Sequence, residues 1–190
     1  MITLTSKMPA FDKDAIAMLT ADHRRIQEAF RDFERLKKRG SKRNKLEVVK
    51  QVCVDLQIHT IVENEVFYPA VNGVLTIRNA DNDFIDEAKV AHVETNNLIV
   101  QLGSMKPGDK LYDAKVTVLG ENINHHIEKE ESVMFPLVTK AKLDLVALGD
   151  HMTMRKAQLQ SEMSLSGRRT KARKCVARAS VAVDSESRDS

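Results

Sequence analysis

The sequence predicts an all-α fold: an up-down-up-down four-helix bundle, then a short fifth helix and a disordered basic C-terminal tail. Aromatic residues make up only 4% of the 190 residues, and glycine (7) and proline (4) are scarce, a composition typical of helices rather than strands. Apolar residues recur at helical spacing in four long segments. The prolines fall between these segments, where a residue without an N–H does least harm: Pro9, Pro69, Pro107 and Pro136.

Capping and turn residues place the ends of the predicted helices. Asp12 or Asp14 can cap the first helix, and Gly40 suits its C-terminal end. The helices are expected at about Asp12 or Asp14 to Gly40, Asn44 to Phe67, Asp81 to Gly103, Asp109 to Met134, and Asp144 to Glu162. A connection containing Asn72, Gly73 and Asn79 separates the second helix from the third. Short connections make successive helices antiparallel.

The length and charge distribution predict one domain and a tail. With 42% hydrophobic residues, the chain can build one substantial core, which we assign to residues 1–165. Residues 166–190 carry seven Lys/Arg and three Asp/Glu, a net charge of +4, so the remaining residues sum to 3 − 4 = −1. Such a tail is expected to be solvated and disordered, with at most weak contact to nucleic acid.

Several classes of protein are disfavoured by missing motifs. No apolar run is long enough to span a bilayer, and residues 1–11 lack the pattern of a signal peptide, so we expect a cytoplasmic protein without a membrane partner. Cys53 and Cys175 lie far apart without a CxxC, which predicts free thiols. Walker A, GxGxxG and GxSxG motifs do not occur, which argues against nucleotide-binding and hydrolase functions.

Each of the four apolar helix faces contains one histidine, and two faces add a glutamate one turn later. A single buried histidine is usually a satisfied core residue, and an HxxxE pair is usually exposed. Burying the whole set in one layer, however, would cost several kcal/mol for each unpaired ion, a cost that bound metal removes. The histidines are 36, 33 and 34 residues apart, which suits helices crossing one common level. The candidate metal ligands are His23, His59, Glu63, His92, His126 and Glu130.

An internal repeat relates the second and fourth helices. His59 and Glu63 precede Tyr68-Pro69 with the same offsets at which His126 and Glu130 precede Phe135-Pro136. The two helices are therefore expected to play equivalent roles at the site.

The ligand types favour iron or manganese, with zinc less suited, because all six offer nitrogen or oxygen and none is a thiolate. If Glu63 and Glu130 bridge two ions and each ion takes two histidines, every ion has four protein ligands. A bridging oxo or hydroxo group would make five and leave one open position on each ion. We therefore expect two non-heme iron ions with oxo or hydroxo and carboxylate bridges.

Some assignments near the site stay open from the sequence alone. His125 competes with His126, but a shift of one residue turns a side chain by about 100° away from the apolar face. Glu131 could replace Glu130 if the last turn is overwound. Asp55 and Asn122, one turn before His59 and His126, either orient imidazole N–H groups or are simply solvated. His151 is expected at the surface.

At these residues the sequence resembles the hemerythrin-like (HHE cation-binding) family. The resemblance covers about residues 12–162 and rests on Asp-His23, His59xxxGlu63, His92 and His126xxxGlu130. It implies a non-heme di-iron centre that meets O₂, peroxide or NO.

Two departures from oxygen-carrying hemerythrins bear on function. Carriers have a second histidine where this chain has Asn96, and an aspartate where it has Glu130. The four-His, two-Glu set resembles that of the iron–sulfur repair proteins, but their cysteine-bearing N-terminal module does not occur. We therefore expect a stand-alone bacterial-type protein that reacts with peroxide or NO in stress defence, with an unidentified electron donor. An O₂ carrier or sensor is the main alternative, and an interaction protein using the basic tail is the third.

Overall fold

The computed structural model describes the backbone of residues 14–77 and 83–186, with side chains for residues 14–73 and 84–165. The predicted all-α class is confirmed, since the described chain is helical throughout apart from short connections. The predicted helix ends at Asp12 and Asp81, and Asn79 of the predicted connection, lie outside the described residues. The helices are α1 Ala15–Arg39, α2 Lys42–Val62, α3 Tyr68–Ile77, α4 Asp83–Gly103, α5 Tyr112–Lys129, α6 Phe135–Thr139 and α7 Leu145–Glu186.

Local capping explains where α1 and α2 begin. The Asp14 carboxylate accepts a hydrogen bond from the Ala17 N–H at 2.8 Å, and the Ser41 hydroxyl accepts one from the Asn44 N–H at 3.1 Å. Ser41 therefore starts α2 slightly earlier than the predicted Asn44. In the bundle, α1 packs against α2 and α5, and α4 likewise packs against α2 and α5. These four helices thus surround one interior.

Two π-helical turns correct the prediction that Pro69 and Pro136 separate helices. The turn π1, Glu63–Phe67, joins α2 to α3, and π2, Glu130–Met134, joins α5 to α6. The N–H that closes each turn bonds five residues back, to the carbonyl of the turn's first glutamate. Each proline then lies in the first turn of the following helix, where its missing N–H is tolerated. Consequently Asn72 and Gly73 belong to α3 and not to a connection.

Gly120, in the middle of α5, allows a close helix contact. A Cβ added there would lie 3.0 Å from the Phe30 ring of α1. Glycine costs about 1 kcal/mol relative to alanine within a helix, and this contact gives a reason for it. The α5 helix itself begins three residues later than predicted, after Leu111, which has a left-handed backbone with φ of 71°.

The last helix extends beyond the predicted end at Glu162. No proline interrupts residues 145–186, and the helical backbone continues to Glu186, through much of the segment assigned to the tail. The chain divides into two compact units between Thr153 and Met154. The division into a domain of residues 1–165 and a tail of residues 166–190 stays a prediction. Of the helices in the described ranges, none combines the length and apolarity that a membrane span requires.

Candidate metal centre

All six predicted ligands lie together inside the bundle. They come from α1, from α2 and its π turn, from α4, and from α5 and its π turn, and none is more than 6% exposed. Their potential ligand atoms form two overlapping groups, and within each group the atoms lie within 4.8 Å of one another. The first group contains His23, His59, Glu63 and Glu130, and the second contains Glu63, His92 and His126.

The imidazoles form two pairs. The ring centroids of His23 and His59 are 5.0 Å apart, and those of His92 and His126 are 4.8 Å apart. Both pairs are edge-to-face, and the Nε2 atoms of His92 and His126 approach to 3.1 Å.

Each buried carboxylate contacts one imidazole from each pair. Glu63 Oε2 lies 3.3 Å from Nε2 of both His59 and His92. Glu130 Oε2 lies 3.2 Å from Nε2 of His23 and 3.6 Å from Nε2 of His126. This crossed arrangement places both carboxylates between the two imidazole pairs.

Several of these buried atoms have no hydrogen-bond partner among the described residues. Among the Nε2 and carboxylate oxygen atoms, they are Nε2 of His23 and His59, both oxygens of Glu63, and Oε2 of Glu130. Unpartnered polar atoms are costly in a protein interior and need an explanation. All of them face one common space, and their nitrogen and oxygen lone pairs suit iron. The residues present therefore fit metal ions.

The protonation of the imidazoles favours ligation at three of the four positions. Burial lowers the pKa of His59 well below its ordinary value, lowers that of His92 to about 3, and lowers that of His126. These rings are thus neutral at neutral pH, and each keeps one nitrogen lone pair. Burial also opposes the charge on His23, but the close contact with Glu130, the hydrogen bond to Glu131 and the charges of both glutamates outweigh it and raise the pKa of His23.

The two buried carboxylates differ in the metal-free site. Burial and the neighbouring Glu130 raise the pKa of Glu63 well above its ordinary value. Burial acts in the same direction on Glu130, but its close contact with His23 at 3.2 Å and the other surrounding histidines prevail and lower its pKa to about 2. Without metal, Glu63 is therefore the carboxyl group that retains a proton.

The Nδ1 atoms of two histidines, which face away from the site, form hydrogen bonds with the residues that directly follow Glu130 and Glu63. The His23 Nδ1–H donates to Glu131 Oε1 at 2.8 Å, and the His92 Nδ1–H donates to Asn64 Oδ1 at 3.1 Å. Such bonds fix the ring and leave Nε2 free for metal. Neither residue was predicted to hold an imidazole, although the repeat places them at the same offset, directly after Glu63 and Glu130.

Asp55 and Asn122 do not orient imidazoles in the structure. Asp55 pairs with Arg25 at 3.5 Å and accepts a hydrogen bond from Gln51, and Asn122 is exposed. The carboxylate near His59 is instead Asp22, whose Oδ2 lies 4.0 Å from Nδ1.

The helix phases separate the competing candidates. His126 is buried while His125 is exposed, and Glu130 is buried while the Glu131 side chain is 42% exposed. The π turn begins only at Glu130, so the α-helical spacing from His126 to Glu130 is kept. His151 is exposed, as predicted.

A further feature of α4 concerns the comparison with the oxygen carriers. One turn after His92, the buried position of α4 is Thr95, and Asn96 faces solvent. The residue compared with the carriers' second histidine therefore does not face the site.

Aromatic rings that precede the two prolines cover the site from outside. Tyr68 stacks on His92 and Phe135 stacks on His23, both with ring centroids 5.7 Å apart. The Tyr68 hydroxyl donates to Glu130 Oε1 at 2.8 Å. Burial and the two glutamates raise the pKa of Tyr68 well above its ordinary value, so the hydroxyl keeps its proton.

A cavity of about 250 Å³ between α4 and α5 reaches the site. Its walls include Ala88, Ala91 and Met134, and its inner end includes His126 and Glu130. Small alanine side chains leave this path open.

Bundle and site together define a helical metal-binding protein. Residues 14–138 match the Hemerythrin HHE cation binding domain, so the chain belongs to that family, which indicates non-heme iron binding. A solved structure of similar fold is an HHE cation binding domain-containing protein from Mycobacterium kansasii, with 20% identity and a TM-score of 0.67, covering 87% of this chain and 98% of that one. No curated protein matches the chain significantly.

Proposed function

We propose that this chain is a di-iron protein in which Glu63 and Glu130 bridge two ions. One ion would be held by His23 and His59 and the other by His92 and His126. The observation that carries the proposal is the contact of each carboxylate with one imidazole from each pair, at 3.2–3.6 Å. Each ion would then have two nitrogen and two oxygen ligands from the protein, which leaves positions open for a small molecule.

The charged side chains that line the cavity between α4 and α5 favour an uncharged ligand. The cavity is lined by Glu87, Glu94 and Glu121, and its single lysine, Lys129, already pairs with Glu87 at 2.7 Å. Excess negative charge disfavours the approach of anions. O₂, hydrogen peroxide and NO are small and neutral, and we propose that the protein meets one or more of them in oxidative or nitrosative stress defence.

The metal content tests the first part of this proposal. We expect purified protein to contain about two ions per chain, predominantly iron, because one ion would leave two imidazoles, and the carboxylate lone pairs that face them, buried without a cation. Elemental analysis with a protein concentration from amino-acid analysis measures this ratio. Protein with a full complement of zinc and well under one iron would contradict a redox role.

Two functions remain for such a site, and specific residues favour each. Bound iron would supply electrons to the small molecule. The interior is otherwise apolar, through side chains such as Leu19, Leu56 and Leu119, and Tyr68 keeps its proton, which favours an O₂ carrier or sensor. The buried Thr95 one turn after His92 adds no histidine to the four, so open coordination positions remain, which favours reaction with peroxide or NO.

Exposure of the reduced protein to air, followed by vacuum, separates the two functions. We propose that the protein reacts with its ligand. We therefore expect the optical spectrum that forms within minutes of adding O₂ to persist under vacuum. Added peroxide should be consumed, which an oxygen or peroxide electrode measures. An absorption band that appears with O₂ and disappears on its removal over repeated cycles would instead establish a carrier or sensor.

A further inference from the structure

We infer that the two metal positions are unequal: the ion between His23 and His59 is bound tightly, and the ion between His92 and His126 is exchangeable. The inference rests on the proposed two-ion site and adds an order of binding to it. It comes from comparing the surroundings of the two imidazole pairs. The residues around His23 and His59 differ from those at the corresponding positions around His92 and His126.

The first difference concerns the residue after each bridging glutamate. Glu131 gives His23 an anionic hydrogen-bond acceptor at 2.8 Å, whereas Asn64 gives His92 a neutral one at 3.1 Å. A carboxylate on the outer nitrogen makes an imidazole more electron-rich and a stronger metal ligand than an amide does. The exposure of Glu131 weakens this difference but leaves the direct contact in place.

The second difference concerns the residue before each histidine on α1 and α4. Asp22 precedes His23 and lies 4.0 Å from His59 Nδ1, close enough to favour a cation held by that ring. Arg25 pairs with Asp22 at 3.0 Å and offsets part of its charge. The equivalent residue before His92 is Ala91, which has no charge. His59 Nδ1 itself has no hydrogen-bond partner among the described residues, so this second difference is one of charge alone.

The third difference is access. The cavity between α4 and α5 ends at His126 and Glu130, and Ala91 is part of its wall. His23 is completely buried. A chelator or competing ion entering by this path therefore meets the ion at His92 and His126 first.

The expected size of the inequality follows from the outer contacts. Loss of such a partner typically lowers metal affinity by about 10- to 100-fold. We expect the two binding constants to differ by a factor in this range.

Anaerobic titration of metal-free protein with Fe²⁺ against a competing chelator measures both constants. Crystals grown with one equivalent of Fe²⁺ then show the occupied position by anomalous scattering at the iron edge. Two constants separated by about tenfold or more, with the first ion at His23 and His59, support the inference. Two equal constants, or first occupancy at His92 and His126, overturn it while leaving the di-iron proposal intact. Binding of fewer than two ions overturns the di-iron proposal itself.

Two variants test the cause of the inequality. Glu131→Gln should lower the first constant by about tenfold and leave the second unchanged, while Glu128→Gln, an exposed carboxylate on α5, should change neither. Ala91→Asp should raise the second constant, because it gives His126 the carboxylate that Asp22 gives His59. Unchanged constants in both Glu131→Gln and Ala91→Asp, with both proteins folded by circular dichroism, would show that these neighbours do not set the order.

Discussion

Replacing His126 with alanine should reduce the iron content from the proposed two ions per chain to one or fewer. The variant removes an Nε2 ligand that lies 3.1 Å from His92 Nε2 and 3.6 Å from Glu130 Oε2, and it leaves these partners buried. Breaking a buried charged set in this way typically costs about 3–5 kcal/mol. Elemental analysis and urea unfolding of protein as purified measure both effects.

His125→Ala is the matched control. Its side chain is exposed at the rim of the cavity, so both iron ions should remain, and the free energy of unfolding should change by no more than about 0.5 kcal/mol. The opposite outcome, iron lost in His125→Ala and kept in His126→Ala, would mean that the phase assigned to α5 at the site is wrong.

The inward residues of the bundle could be predicted from the sequence because burial repeats with the helical period. A histidine and a glutamate four residues apart lie nearly on one line of an α-helix, so the same pattern that placed Leu56 and Ile123 inside also placed His59 and His126. Their convergence required only that the helices cross a common level.

The π turns could not be predicted from that period. Each one begins at a buried glutamate and ends just before the aromatic residue and proline, so the offset from Glu63 to Pro69 equals that from Glu130 to Pro136. Proline was taken as a helix end because it removes an N–H, whereas the wider turn accommodates it. The repeated Glu-to-Pro offset was the available signal.

The contacts between side chains on different helices also could not be predicted from the sequence pattern. Which residue reaches the Nδ1 atom of His23 depends on the rotation of α5 against α1, and periodicity along one helix does not fix that angle.

Glu63→Gln should stabilise the metal-free protein, and increasingly so as the pH rises. Burial and the neighbouring Glu130 raise the pKa of Glu63 well above its ordinary 4.5, so the folded state retains a proton that the unfolded state has already lost. Above pH 4.5, each pH unit therefore lowers the free energy of unfolding of the unsubstituted protein by up to about 1.4 kcal/mol, until the folded carboxyl ionises too. Glutamine keeps the shape and has no such proton to lose.

The metal-loaded protein should respond in the opposite direction, because an ionised Glu63 is what the two ions require. Urea unfolding between pH 5 and 8, with and without prior metal removal, gives the difference in unfolding free energy between Glu63→Gln and the unsubstituted chain. We expect this difference to grow with pH in metal-free protein, and the variant to bind less iron and be less stable when loaded. Glu128→Gln, whose carboxylate is exposed, should show a pH-independent difference near zero. A constant difference for Glu63→Gln across this range would mean that Glu63 is ionised in the metal-free fold, and that its two unpartnered oxygens are stabilised without metal.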